Sequence, residues 1–546
     1  MAKRPRPRED FPVNRGKNPI TQINMKSADS LFINAQILTQ DQEKPKASQM
    51  AISGKHILAI GDDLSAFKGE TTKTIDLEGS VVAPGFIDAH IHFLWGGEGL
   101  LTIPGHKARS KQEFINIISK YAQKQAPGSW LKGGGWNEHL FTDKGLPHKS
   151  WLDEAAPGHP MVLHRHDGHS AIASSTALEL AGITANMPDP VGGLIDKDEN
   201  GEPTGILRES AILLVDSLIP EETEEVLEKN FKAAQEYLLE RGVTCVGDMI
   251  YDMKHFSFLQ KMARQGKLKI RITAYVPLLK WEEIKQHINK GIYEDEWFQF
   301  KGLKGFCDGS LGSHTALMLE PYDDNPDSVG IYDTDWEDIN RVKEIILESD
   351  RNNLQSVIHA IGDRANREVL DMFESVIKQN GARDRRFRIE HAQHIHPEDQ
   401  KRFAELYVIP SVQPAHCLDD SLYADKLLGE RCGYVYPFNS LNLNRAKLAF
   451  GSDWPVSPAN PVATIHAAIH RAGWRKEEAV SMETALEAHT TGAAYAGFRE
   501  NDLGMLKEDY LADFVVLDPK FLELDFMERI TENIVSSVYV NGNRER

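Results

Sequence analysis

The chain has 546 residues, 41% of them hydrophobic, and a formal net charge of −19. That length holds a full core and suggests two or three domains, while so acidic a balance argues against a nucleic-acid partner, which needs clustered Lys and Arg. Cys245, Cys307, Cys417 and Cys432 form no C-x-x-C pair, which argues against a disulfide framework and for reduced, structural thiols.

Residues 1–27 are rich in Arg, Pro, Lys and Asn without periodicity and read as a loose arm. The N-terminus shows no apolar export segment, and no apolar run is long enough to span a membrane, so the expected location is the cytoplasm with no membrane partner. From Ala28, short apolar runs punctuated by Gly54 and Gly61 predict strands. Phe514–Leu517 and Ile534–Val540 predict two more, the last ending at the turn Asn541-Gly542. Two β-rich ends around an α/β centre suggest one small β-domain, a sandwich, built from 28–83 and 500–546.

Between them, over 84–499, apolar strands alternate with helix-length segments. The strands are Val81–His92, Val243–Met249, Ile270–Val276, Leu303–Asp308, Ser356–Ala360, Arg388–Ala392, Val408–Pro414 and Leu448–Asp453; Glu224–Glu240 and Asn366–Gln379 are examples of the helices. Such alternation implies parallel pairing, and eight units close a (β/α)8 TIM barrel. One interval, between the first strand and the second, breaks the rhythm. It starts with a helix-like stretch, Lys111–Gln123, and turns rich in Gly, His and Pro. About 130–210 reads as an inserted subdomain over the barrel mouth.

The strongest chemical signal is Pro84-Gly85-Phe86-Ile87-Asp88-Ala89-His90-Ile91-His92. Strand side chains alternate faces, so His90 and His92 project the same way, which suits a partial metal site; the alternative is two polar strand-end histidines. His359, His391 and Asp453 each end another apolar strand, where barrel active sites are built. Taken singly, each is more often a satisfied strand-end residue; together they suit a divalent metal.

These residues sit in a series of motifs: Ala83 to His92, Gly133-Gly134-Gly135-Trp136, Asp167-Gly168-His169, Lys304-Gly305-Phe306-Cys307-Asp308-Gly309-Ser310, His359-Ala360-Ile361-Gly362-Asp363-Arg364-Ala365, Glu390-His391-Ala392-Gln393, Gln413-Pro414-Ala415-His416 and Gly451-Ser452-Asp453-Trp454-Pro455. In their order and number the chain resembles the amidohydrolase superfamily, and within it the branch that includes N-substituted formamide deformylases. The resemblance runs from about Ala28 to the C-terminus. It implies that His90 and His92 hold the more buried metal, that His359 and His391 hold the second, and that Asp453 ligates metal and shuttles a proton. It places at Lys304 a lysine carboxylated by carbon dioxide, whose carbamate can bridge two metals where an ammonium cannot. Zinc is the natural metal for such donors; manganese, cobalt, nickel and iron also suit them. One or two ions per chain are open.

Other residues are candidates for substrate contact, His169 by the resemblance and the rest by their position or type. His169 falls near the mouth; Gln413 and His416, at the end of the seventh strand, stand to bind a carbonyl or leaving group, or to hydrogen bond within their loop. Trp136, Trp95 and Trp454 are candidates for the wall of an apolar pocket, or simply for packing. The chain departs from the branch at Ser174, where Asn is usual, and at Lys507-Glu508-Asp509-Tyr510, which replaces a Gly-containing turn. The expected reaction is hydrolysis of a linear carbon–nitrogen bond in a small amide. Hydrolysis of a cyclic amide, imide or ester, and a non-catalytic metal- or ligand-binding role, remain as alternatives. A homodimer is the expected assembly.

Overall fold

The computed structural model describes residues 27–143, 145–165, 170–190, 193–523 and 534–546. The arm expected over 1–27 falls outside them except for Ser27, and so does His169. Eight parallel strands, neighbours in chain order, form one sheet: Phe86–Ile91, Val243–Met249, Arg271–Pro277, Phe298–Phe306, Gln355–Ala360, Arg388–His391, Ile409–Val412 and Ala449–Phe450. Runs such as VTCVGDM are buried throughout, because helices cover one face and the barrel interior the other. Two backbone bonds close the sheet: Asp453 N donates to His90 O at 2.7 Å, and His92 N donates to Trp454 O at 2.8 Å. The result is a (β/α)8 barrel.

Two of the covering helices start where a side chain satisfies their first amides. Thr223 caps Glu224–Leu239 by accepting from Val226 N, and Asp252 caps Met253–Arg264 by accepting from His255 N at 2.7 Å. Their apolar faces join the strands' outer faces in one large core.

The first strand departs from expectation. Val81–His92 reads as one run but divides at Gly85. Val81–Pro84 pairs antiparallel with Phe514–Leu517, while Phe86–Ile91 pairs with Val243–Met249 in the barrel. A Cβ at Gly85 would stand 2.2 Å from Thr244 Oγ1, so only glycine lets the chain pass there. Both halves are buried, so hydrophobicity alone does not mark the boundary.

The β-domain stacks two sheets. His56–Gly61, Gln49–Ser53, Ser30–Ile33 and Lys73–Asp76 form one; Asn543–Arg544, Val535–Val540, Phe514–Leu517, Val81–Pro84, Gln36–Leu38 and Lys46–Ala47 form the other. Phe32 from the first meets Phe514 and Tyr539 of the second edge-on, at 5.1 and 5.2 Å. A buried fork from Arg271 to Asp513, 2.7 and 3.0 Å, ties this domain to the third barrel strand.

The insert is built on a six-stranded sheet whose edge strands are Gly193–Lys197 and Ile103–Pro104. Its sheet therefore starts well before residue 130. Ile103–Pro104 pairs with Gly133 and Gly134, and Lys111–Ala122 packs in the same core. A two-residue strand carries too little periodicity to be read from sequence.

Candidate metal centre

The centre lies where the barrel strands end, the face on which such barrels carry their chemistry. His90 and His92 flank Ile91 at the end of the first strand. His359 lies on the fifth strand, His391 ends the sixth, and Asp453 follows the eighth. Asp453 Oδ1 stands 3.3 Å from Nε2 of both His90 and His92. The ligand atoms of His90, His92 and Asp453 lie within 4.8 Å of one another, and so do those of His391, His416 and Asp453. The carboxylate thus belongs to both groups. His391 and Asp453 hold φ values of 72° and 59°, left-handed conformations that cost energy in residues with a Cβ and cluster at functional sites.

These donors fit a divalent cation. Asp453 Oδ1, His391 Nδ1 and His416 Nε2 are buried without a hydrogen-bond partner among the described residues. Each such atom left unpaired costs about 1–3 kcal/mol, which a cation held by neutral imidazoles and a carboxylate would offset. Burial pushes His92 and His391 down, and with the Lys304 charge takes His359 to about 3, so these rings are neutral. Burial opposes the charge on Asp453, but His90, which Asp453 and Glu390 raise against its own burial, outweighs it and holds the carboxyl well below its usual range.

The surrounding groups orient the donors. His92 Nδ1 donates to Met249 O at 2.8 Å, and His90 Nδ1 donates to Glu390 Oε2 at 2.5 Å. Burial would raise the Glu390 carboxyl, yet the Arg388 guanidinium and His90 take it down to about 2. Asp308 accepts from Leu317 N, Ile361 N and Gly362 N at 2.8–2.9 Å, and so joins the loops after the fourth and fifth strands. Tyr251 stacks on His92. Glu390, Arg388, Asp308 and Tyr251 carry no signal of their own in the sequence. Glu390 and Asp308 lie inside motifs already read, and their roles appear only once partners from other strands are in place.

His359 sits beside His391, ring centroids 4.4 Å apart. It belongs to neither ligand group because its Nε2 is turned to Gly309 O, 3.1 Å away. His416 instead joins His391 and Asp453 in the ligand group, its ring 6.2 Å from that of His391 and 11° from parallel. Lys304 is buried, its Nζ 3.9 Å above the Phe306 ring and without a hydrogen-bond partner among the described residues. Burial pushes it down to about 8.

The remaining substrate candidates divide. Gln413 is buried at the start of Pro414–Asp420, with Nε2 donating to Ser411 O at 3.4 Å and Oε1 unpartnered. Trp454 is buried and stacked on Tyr237, centroids 4.9 Å apart, with Gly96 flat against its ring. Trp136 is fully buried in the insert's core, its indole N–H bound to Leu163 O at 2.7 Å, and it also lines a cavity of about 630 Å³ in that insert. Of the three tryptophans, only Trp95 is well exposed. Ser174 is buried and structural: its Oγ accepts from Met161 N and Ala177 N, caps Ser175–Leu180 and donates to His159 O. The four cysteines are free and buried.

A barrel of this kind with a buried centre of His and Asp at its C-terminal end defines a metal-dependent hydrolase. The amidohydrolase family pattern matches residues 73–544, and the chain belongs to that family. It is 39% identical to Protein LONG AFTER FAR-RED 3 of Arabidopsis thaliana, over 95% of this chain and 91% of that one. It is 26% identical to the N-substituted formamide deformylase of Arthrobacter pascens, over 94% and 97%. The solved structure of an uncharacterized metal-dependent hydrolase from Pyrococcus furiosus is 31% identical, covers 90% of this chain and 99% of its own, and matches with a TM-score of 0.76. Among the described residues no helix is long and apolar enough to cross a membrane.

Proposed function

We propose that this metal-dependent hydrolase cleaves the carbon–nitrogen bond of a linear, non-peptide amide such as an N-formyl or N-acyl amine. The observation that carries the reading is Asp453 Oδ1, buried, unpartnered and 3.3 Å from Nε2 of both His90 and His92. Similarity to a formamide deformylase over nearly the whole chain supports the amide class. His90, His92 and Asp453 would hold one cation, zinc by the chemistry of the donors. His391, His359 and a carboxylated Lys304 would hold a second, with His416 adjoining. Bound there, the cation supplies Lewis acidity, polarising the scissile carbonyl and acidifying water.

Asp453 accepts the proton of the attacking water and returns it to the leaving nitrogen, base first and acid second. A carbon–oxygen bond forms as the carbon–nitrogen bond breaks, and the products are an acid and an amine. Gln413 and His416, with His169, are placed in this reading at the substrate carbonyl or leaving group. Lys304 supports its own modification: with a pKa pushed down to about 8, its amine loses a proton readily. The free amine attacks carbon dioxide, forming a nitrogen–carbon bond and releasing a proton to leave an anionic carbamate.

The test is metal content after dialysis, together with turnover of a panel of amides and esters with and without chelator. About two ions per chain and chelator-sensitive amide turnover are expected. One ion keeps the hydrolase and removes Lys304 from the ligand set. No metal, with no activity regained on adding zinc or manganese, overturns the reading.

A further inference from the structure

Beneath the candidate centre lies a buried ion pair that four strands share. Arg388 and Glu390 are two apart on the sixth strand, so their side chains enter the barrel on the same face. Arg388 Nε donates to Glu390 Oε1 at 2.8 Å and Nη2 to Oε2 at 3.0 Å. Nη2 also reaches Ala89 O at 2.8 Å and Ser411 Oγ at 3.0 Å, and Nη1 reaches Tyr275 OH at 3.1 Å. Glu390 Oε2 accepts as well from His90 Nδ1, at 2.5 Å. All these side chains are buried.

We propose that Arg388 and Glu390 are positioning residues that lock His90 with its proton on Nδ1 and its Nε2 lone pair facing Asp453. The proposal rests on the metal-dependent reading above. A cation at Nε2 would leave His90 a single N–H, and Glu390, a carboxylate that can only accept and that lies nearer than Asp453, holds it on Nδ1. The nitrogen left free is the one 3.3 Å from Asp453 Oδ1. His92 receives the same service from a backbone carbonyl, Met249 O, which no substitution removes. At His90 the device is a side chain and therefore testable.

The pair works as a unit. Arg388 supplies the charge that keeps a buried carboxylate ionised, and removing either partner strands the other. Nor does a glutamine at 390 substitute for the carboxylate. Both Glu390 oxygens face donors, so an amide NH₂ would point either at the imidazole N–H or at the guanidinium.

The test uses the full chain, stripped of metal and titrated with cobalt(II) alone. Affinity is read by competition with a chromophoric chelator, and the ligand field by the visible absorption of bound cobalt. Glu390→Gln is expected to bind about 10–100-fold more weakly, the range found when a histidine ligand loses its carboxylate partner, with a shifted visible spectrum. Asp513→Asn, which breaks the buried Arg271 fork on another part of the barrel, controls for general loosening and is expected to keep wild-type affinity and spectrum. Wild-type affinity and spectrum in Glu390→Gln overturn the positioning role and leave the metal reading standing. An equal loss in Asp513→Asn overturns it too, and absence of cobalt binding by the wild type overturns both. Should Glu390→Gln fail to fold, Arg388→Lys, which keeps the charge and loses the fork, is read by the same two signals.

Discussion

Tyr251 lies flat on His92, ring centroids 4.5 Å apart and planes 7° from parallel. Trp95 meets both rings edge-on, at 5.4 and 5.6 Å. Tyr251 and Trp95 are 48% and 39% exposed, so this aromatic corner stands between one face of His92 and solvent. An aromatic pair contributes about 0.5–1.5 kcal/mol beyond its buried area. Tyr251→Ala should therefore weaken metal binding roughly two- to tenfold, while Tyr251→Phe, which keeps the stack, should match the wild type. Chelator competition reads both, and equal affinity in all three proteins would mean the stack does not support His92.

Asp453→Asn keeps the shape of the side chain and removes its basicity. Loss of a positioned base lowers turnover by about 10²–10⁴-fold. Amide kcat should fall by that much even in those molecules that retain metal, so metal content must be measured on the same preparation. Full activity at full occupancy would assign the proton transfer elsewhere.

Lys304 makes metal-free stability depend on pH. Burial lowers its pKa from 10.5 to about 8, so between those values the unfolded chain binds more protons than the folded one. Stability then rises with pH across that window, and the full penalty of a buried ammonium applies below about 8. Lys304→Met removes the penalty. The metal-free variant should melt above the wild type near pH 7, with the difference shrinking toward about pH 10. A wild type that melts higher near neutrality would show that its ammonium is paired. Separately, mass spectrometry under non-acidic conditions should find one added carbon dioxide that is lost on acidification, and Lys304→Met should lack it.

Ser174 and Trp454 should register in stability. Ser174→Ala removes a cap and two further bonds, and should cost about 1–2 kcal/mol of unfolding free energy without altering the relative kcat/KM of two amides. Trp454→Ala empties the space between Gly96 and Tyr237 and should cost about 3–5 kcal/mol. Chemical denaturation measures both, and a changed amide preference in Ser174→Ala would show that the residue also shapes the substrate site.

The barrel was legible because its strands are short, apolar and spaced by helix-length segments, and because a polar residue follows several of them at one end. His90, His92, His391 and Asp453 come together as their positions on the strands require. Less legible was anything set by contact across strands. Whether His359 or His416 stands with His391 depends on a ring rotation toward Gly309 O, which spacing does not encode. The pairing of Glu390 with His90 joins residues 300 positions apart. Trp136 and Trp454 show the converse difficulty: a tryptophan in a motif reads alike whether it walls a pocket or fills a core, and Trp136 is buried in the insert's core while also lining a cavity there. The division at Gly85 was hidden because both halves of the run are apolar and both are covered.

The barrel's seam is made by the same residues that would grip the metal. Asp453 N bonds to His90 O and His92 N to Trp454 O, while Ser452 N reaches Asp88 Oδ1, 364 positions earlier in the chain. A nascent chain still lacking its eighth strand carries the paired histidines but no carboxylate to complete them. Closing the cylinder and completing the candidate centre are therefore one event, because the turn that shuts the barrel carries the carboxylate that faces both histidines.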